Sequence, residues 1–238
     1  MGLTIGVGWH SRDKQELDAD EFDDFSEPYR VLSMELVGAG LPPHVEPVDF
    51  SESETFDAEM IGYGGLHYIR RLAAHWALTE KLPSPDIEYE HAIQDPMIER
   101  LNDKLAKNDY RSRPRGLWNC ITGKHEELFP HLMLHSDAEG FYVPIEFEDV
   151  IFEQGTDTGL GGMIGSSQKL LQECEILAKL IELPPDIDCE DERLWDVSED
   201  PKPEGPLWHQ YGKEAFGLAR LITACRVSIR NKAVVVFG

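Results

Sequence analysis

Positive charge is scarce in this chain. Its 238 residues hold 22 Lys and Arg against 45 Asp and Glu, a formal net charge of −23. That balance argues against general nucleic-acid binding, because neutralising phosphate takes clustered Lys and Arg. It suits attraction to a basic protein partner, although solubility alone is a simpler account of the same acids. Cysteine is scarce as well, and Cys120, Cys174, Cys189 and Cys225 form no CxxC pair. Cys174 and Cys225 fall inside apolar helical patterns, where a free thiol acts as a small hydrophobe. This usage fits a reducing, cytoplasmic setting. No apolar run reaches the ~18 residues of a membrane span. The opening MGLTIGVGWH lacks the basic start and long apolar core of a secretory signal. Gly2 invites N-myristoylation, but Gly6 stands where that pattern needs Ser or Thr.

Complete catalytic and cofactor motifs are also missing. Gly6 and Gly8 lead into Trp9, His10 and Ser11 rather than completing GxGxxG. The turn Gly159, Gly161, Gly162, Gly165 before Ser166 and Ser167 could hold an anion on its amides. Lys169 is misplaced for a P-loop, and an ordinary helix cap at Ser166 or Ser167 is the leading reading. His125–Glu126 is not followed by the second His of HExxH, and no GxSxG elbow occurs. No cofactor and no metal site is expected.

What the chain does contain is patterned apolar sequence. Leu3, Ile5 and Val7 alternate with small residues, predicting a strand over 3–7. Asp13 to Glu27 is dense in carboxylates, including Asp23 and Asp24, and reads as a solvated loop. The run does not match a calcium loop, because it lacks the central Gly that pattern needs. Ser26 and Pro28 open a helix, with Tyr29, Leu32 and Leu36 on one face and Gly38 and Gly40 at its end. Pro47 to Glu54 reads as an exposed connection.

A stronger helix runs from about Gly65 to Lys81 with Leu66, Ile69, Leu72 and Ala73 inward. On another face His67, Arg71 and His75 stand four apart beside Arg70. This basic ridge predicts internal pairing with Asp or Glu, or a clamp for an anion. Asp95–Pro96 caps and opens a helix through Lys107. Arg111, Arg113 and Arg115 before Trp118 give a minor nucleic-acid reading.

The stretch His131 to Phe147, HLMLHSDAEGFYVPIEF, reads as a hairpin with strands over 131–135 and 141–147. Leu132 and Leu134 would face the core and His131, Met133 and His135 the other side. Asp137 and Glu139 would lie in the turn, where Gly140 can take positive φ. Pro144 predicts an edge strand or a bulge. His131, His135, Asp137 and Glu139 could contribute to a metal shell only with a partner such as His125 or Glu126. His135, Asp137 and Arg71 are the candidate catalytic residues of a hydrolase or small-anion enzyme. In that reading Arg holds an anionic group, His exchanges protons and Asp orients His. Arg70, Arg71, His131, His135, Asp137, Glu139, Ser166 and Ser167 would then line its site.

A helix from Ser167 carries Leu170, Leu171, Cys174, Leu177, Ala178 and Ile181 at 3.6-residue spacing. Glu182 to Glu204 reads as an acidic surface segment anchored by Leu194, Trp195 and Val197, and able to serve as a docking arm. A last helix over 207–230 and a strand over 233–237 follow. Because both chain ends reach the sheet, one integrated domain over 1–238 is expected. The predicted class is α+β, a small mostly antiparallel sheet packed against four to five helices.

The segments GLHYIRRLAAHW, HLMLHSDAEGFYVPIEF, GGMIGSSQKLL and the final helix and strand resemble a family of functionally uncharacterised, bacterial, soluble and immunity-like proteins. The resemblance implies one folded unit over most of the chain and carries no catalytic assignment. The composition favours a non-enzymatic acidic protein that binds a basic macromolecule, such as a toxin-neutralising immunity protein. Asp23, Asp24 and Trp195 are its candidate contacts.

Overall fold

The computed structural model describes residues 3–62, 64–85, 89–107, 128–136, 139–153 and 159–238. These build a mixed α+β fold around one six-stranded, mostly antiparallel sheet. Strand β1 (Thr4–Val7) leads into helices α1 (Trp9–Glu16), α2 (Ala19–Phe25) and α3 (Glu27–Gly38). Strand β2 (Phe56–Glu59) precedes α4 (Gly65–Thr79), α5 (Tyr89–Ile93) and α6 (Pro96–Lys107). A single helical turn, α7 (Pro130–Met133), precedes β3 (Gly140–Val143), β4 (Ile151–Phe152) and β5 (Met163–Ser166). Helices α8 (Ser167–Leu180), α9 (Glu192–Glu199), α10 (Leu207–Gln210) and α11 (Gly212–Asn231) lead to β6 (Val235–Phe237).

The strand order is β2-β1-β6-β3-β5-β4, and β3–β5 is the parallel pair. Each face of the sheet has its own core, as the two-residue period of a strand requires. Ile5, Val7, Tyr142, Met163, Val235 and Phe237 enter the larger core with α4, α6, α8, α9 and α11. Phe141, Val143, Ile164 and Val234 pack with Leu32 and Leu36 of α3 on the other face. Small residues set how closely the layers approach. A Cβ at Gly6 would overlap the Trp9 indole, and one at Gly165 would overlap the Tyr142 ring.

Five expectations need correction. The stretch 131–135 is not a strand. Phe129 takes φ 50, Pro130 opens a helical turn, and residues 131–133 are buried all round. Alternation had no solvent face to report there. The second arm ends at Val143, and 144–147 lies outside the ladder. The acidic run 13–27 is helical: Asp18 accepts the amides of Asp20 and Glu21, and Glu21 returns the bond in a capping box. Ser26 does not cap α3; its hydroxyl donates to the Phe22 carbonyl. The last helix is broken at Tyr211, whose φ −101 and ψ 47 leave the helical region, and Gly212 beyond it lies against the Val197 carbonyl, where a Cβ would overlap.

Candidate functional site

Several predicted site residues meet, but inside the protein. Buried Glu173 of α8 accepts the amides of His131 at 3.0 Å and Leu132 at 2.8 Å. Buried Arg70 of α4 donates to the Leu132 carbonyl at 3.1 Å and the His135 carbonyl at 2.5 Å. The turn α7 is thereby held by an anion at its amino end and a cation at its carboxyl end, the polarity its peptide dipoles favour. His131 accepts the Ser166 amide on Nδ1 at 3.1 Å, which leaves Nε2–H to donate to the Glu148 carbonyl at 3.2 Å. That pattern requires the neutral ring. Tyr142 donates its hydroxyl to the His131 carbonyl at 2.6 Å.

His135 is buried and stacked on Tyr142 with centroids 5.2 Å apart. Gly140, at φ 145, leaves room for its imidazole. The glycine turn does converge with this segment, since Gly161 packs against the backbone of Glu139 and Gly140. Ser166 caps α8 by accepting the Lys169 amide. Ser167 lies within hydrogen-bond reach of Tyr142 O and Ser228 Oγ, beneath the surface. Glu139 is exposed. Asp137 lies outside the described residues, as do Arg111, Arg113, Arg115, Trp118, Cys120, His125 and Glu126.

Arg71 is not part of this hub. It donates to Asp95 at 2.9 Å and to the Ser84 carbonyl, and His75 meets the same Asp95 oxygen at 2.9 Å. The basic ridge is thus paired internally at Arg71 and His75. Burial pushes the Asp95 carboxyl up, but the Met97 amide, His75 and Arg71 outweigh it and hold the group below its usual range. Among the described residues no group of three or more His, Cys, Asp and Glu could hold a metal ion. No described helix is long and apolar enough to cross a membrane.

The outer surface carries a different chemistry. Four of the seven residues of α2 are acids, Asp20, Glu21, Asp23 and Asp24, all exposed. From Asp20 to Asp24 the helix rises about 6 Å, so these four carboxylates follow one another about every 2 Å along the axis. Arg30 pairs with Asp23 and Glu27. The acidic helices are fastened to the sheet by Trp9, whose indole donates to Asp57 at 2.5 Å, and by the Arg12–Asp57 ion pair. Beneath them buried His10 is stacked between Phe22 at 4.6 Å and Tyr29 at 4.2 Å.

The family described as "Putative DNA-mimic protein" matches residues 1–237. The chain belongs to this family. No curated protein and no solved structure matches it.

A second carboxylate-bearing helix of this family member is α9. Leu194 and Val197 are buried, while Glu192, Asp196 and Glu199 are exposed. Arg193 is turned onto Asp191 by two hydrogen bonds, 2.9 and 2.7 Å, which with the Arg193 amide hold the Asp191 carboxyl down to about 2. Trp195 is 41% exposed and meets Phe216 edge-on at 4.6 Å. Asp23 and Asp24 are exposed, and helices carry them and Trp195 where the sequence suggested a solvated loop and an irregular surface segment. The Asp18–Glu21 spacing was the available signal for α2.

Proposed function

We propose that this protein is a non-enzymatic DNA mimic that occupies the nucleic-acid face of a basic protein, presenting carboxylates where DNA presents phosphates. The observation that carries this reading is the charge density of α2 in a chain of net charge −23 belonging to this family. One carboxylate about every 2 Å falls between the phosphate spacing of a single strand, about 3.4 Å, and of a duplex, about 1.7 Å. Asp20, Glu21, Asp23 and Asp24 of α2 and Glu192, Asp196 and Glu199 of α9 are the proposed contacts. The same field repels nucleic acid, so the protein itself does not bind DNA generally. A toxin-neutralising immunity protein acting in the cytoplasm, covering the substrate face of a nuclease, is the concrete form of this function.

Affinity capture from bacterial lysate tests it. A stoichiometric DNA-binding protein should be retained at low salt and released by added duplex DNA and by raised salt. The double change Asp20→Asn and Asp24→Asn should weaken retention. Captured proteins indifferent to duplex DNA, or the absence of any, would overturn the reading.

A further inference from the structure

The buried Arg220 of α11 is poorly explained as a stability device. It is 1% exposed, its Nε has no hydrogen-bond acceptor, and its ion partner Glu190, 3.2 Å away, is itself exposed to solvent. A well-packed apolar residue in such a position is often neutral or stabilising. What Arg220 does supply is a platform. Its guanidinium carbon lies 3.5 Å from the Phe216 ring centroid and 4.9 Å from that of Trp195. The indole is therefore held from beneath by a cation and from the side by Phe216, and remains 41% exposed.

Glu192, Trp195 and Glu199 stand three and four residues apart, on one ridge of α9. Arg193, the cation within that helix, is bound to Asp191. A rigid aromatic surface is thus flanked by carboxylates without a neutralising partner among the described residues. Because Arg220 already occupies the electrostatic field of the indole, the ring is a poor site for a second cation. It is a good surface for the aliphatic stem of Lys or Arg, whose charged head then reaches Glu192 or Glu199.

We propose that the Trp195 ridge is the anchor of the partner interface, taking the stem of a Lys or Arg from the partner's cationic DNA-binding face. This rests on the DNA-mimic reading and adds to it a contact that phosphate-like charge alone does not provide. Buried or half-buried Trp residues backed by packed neighbours commonly dominate such interfaces.

Titration calorimetry of the full chain with a short arginine–glycine repeat peptide at physiological ionic strength tests the assignment. Trp195→Ala leaves the net charge unchanged, so an interaction through the field alone would not register it. We expect a loss of about tenfold or more in affinity. Trp195→Phe, which keeps a ring against Phe216, should recover most of that affinity. It also guards against a loss caused only by a disturbed α9. Phe152→Ala removes another exposed aromatic, 45% accessible on β4, and should bind like the parent. Equal affinity of Trp195→Ala and the parent, or equal losses for Trp195→Ala and Phe152→Ala, would overturn the anchor. If the peptide still binds in a salt-dependent manner, such a result leaves the DNA-mimic reading standing. A parent protein that does not bind the peptide at all would count against both.

Discussion

Glu173 and Arg70 grip the same helical turn from opposite ends. The carboxylate accepts the amides of His131 and Leu132, and the guanidinium donates to the carbonyls of Leu132 and His135. Both side chains are buried, so each depends on its partners to offset desolvation. Glu173→Ala should cost about 2–6 kcal/mol of unfolding free energy in a urea titration, because it leaves two buried amides without their acceptor. Arg70→Lys should not restore the parent stability, since one ammonium does not reproduce the fork that spans two carbonyls. Parent-like stability for Glu173→Ala would show that the turn is held by packing alone.

The acidic helices should loosen in mild acid through His10. Burial first, then the positive charges of Arg30 and Lys14, lower its pKa from 6.5 to about 4. A histidine with a depressed folded pKa binds fewer protons folded than unfolded, so stability falls as pH falls. The loss begins near 6.5, where the unfolded chain gains its proton, and is complete below about 4, where the folded chain has gained one too. His10→Phe preserves a ring between Phe22 and Tyr29 and removes the proton. Its melting temperature should therefore decline less than the parent's between these pH values. Parallel decline of the two proteins would remove His10 from the account.

We propose that the chain unfolds as one unit. Strand β1 near one end pairs with β6 near the other, through Ile5 with Phe237 and Val7 with Val235. The larger core draws residues from β1, α4, α8, α9, α11 and β6 together. Calorimetry should give one transition whose calorimetric and van't Hoff enthalpies agree. Two resolved transitions would divide the chain into separately stable parts. Gly212→Ala offers a second measure of this coupling. Its methyl would displace α9 from α11 and should lower the single transition of the whole protein.

The carboxylate surface was readable because it needs no tertiary partner. An Asp at position 20 or 24 is charged and repels phosphate wherever the backbone takes it. The apolar stripes of α4, α8 and α11 were readable too, since a period of 3.6 sustained over several turns has one structural solution. The helical form of 13–27 was obscured by its density of acids, although Asp18 and Glu21 stand at capping-box spacing.

The fate of the histidines and arginines was decided only by the tertiary structure. His131 and His135 sit in a segment too short for its alternation to tell strand from helical turn. Their burial depends on Glu173, forty-two residues beyond His131, and on Arg70, sixty-five before His135. Likewise nothing local reveals that Arg220 would underlie Trp195, because the ring and the cation belong to different helices. Charge and period belong to the sequence itself. Desolvation and partnership come from segments distant in the chain, and these separate a buried, fully paired histidine from one free to react.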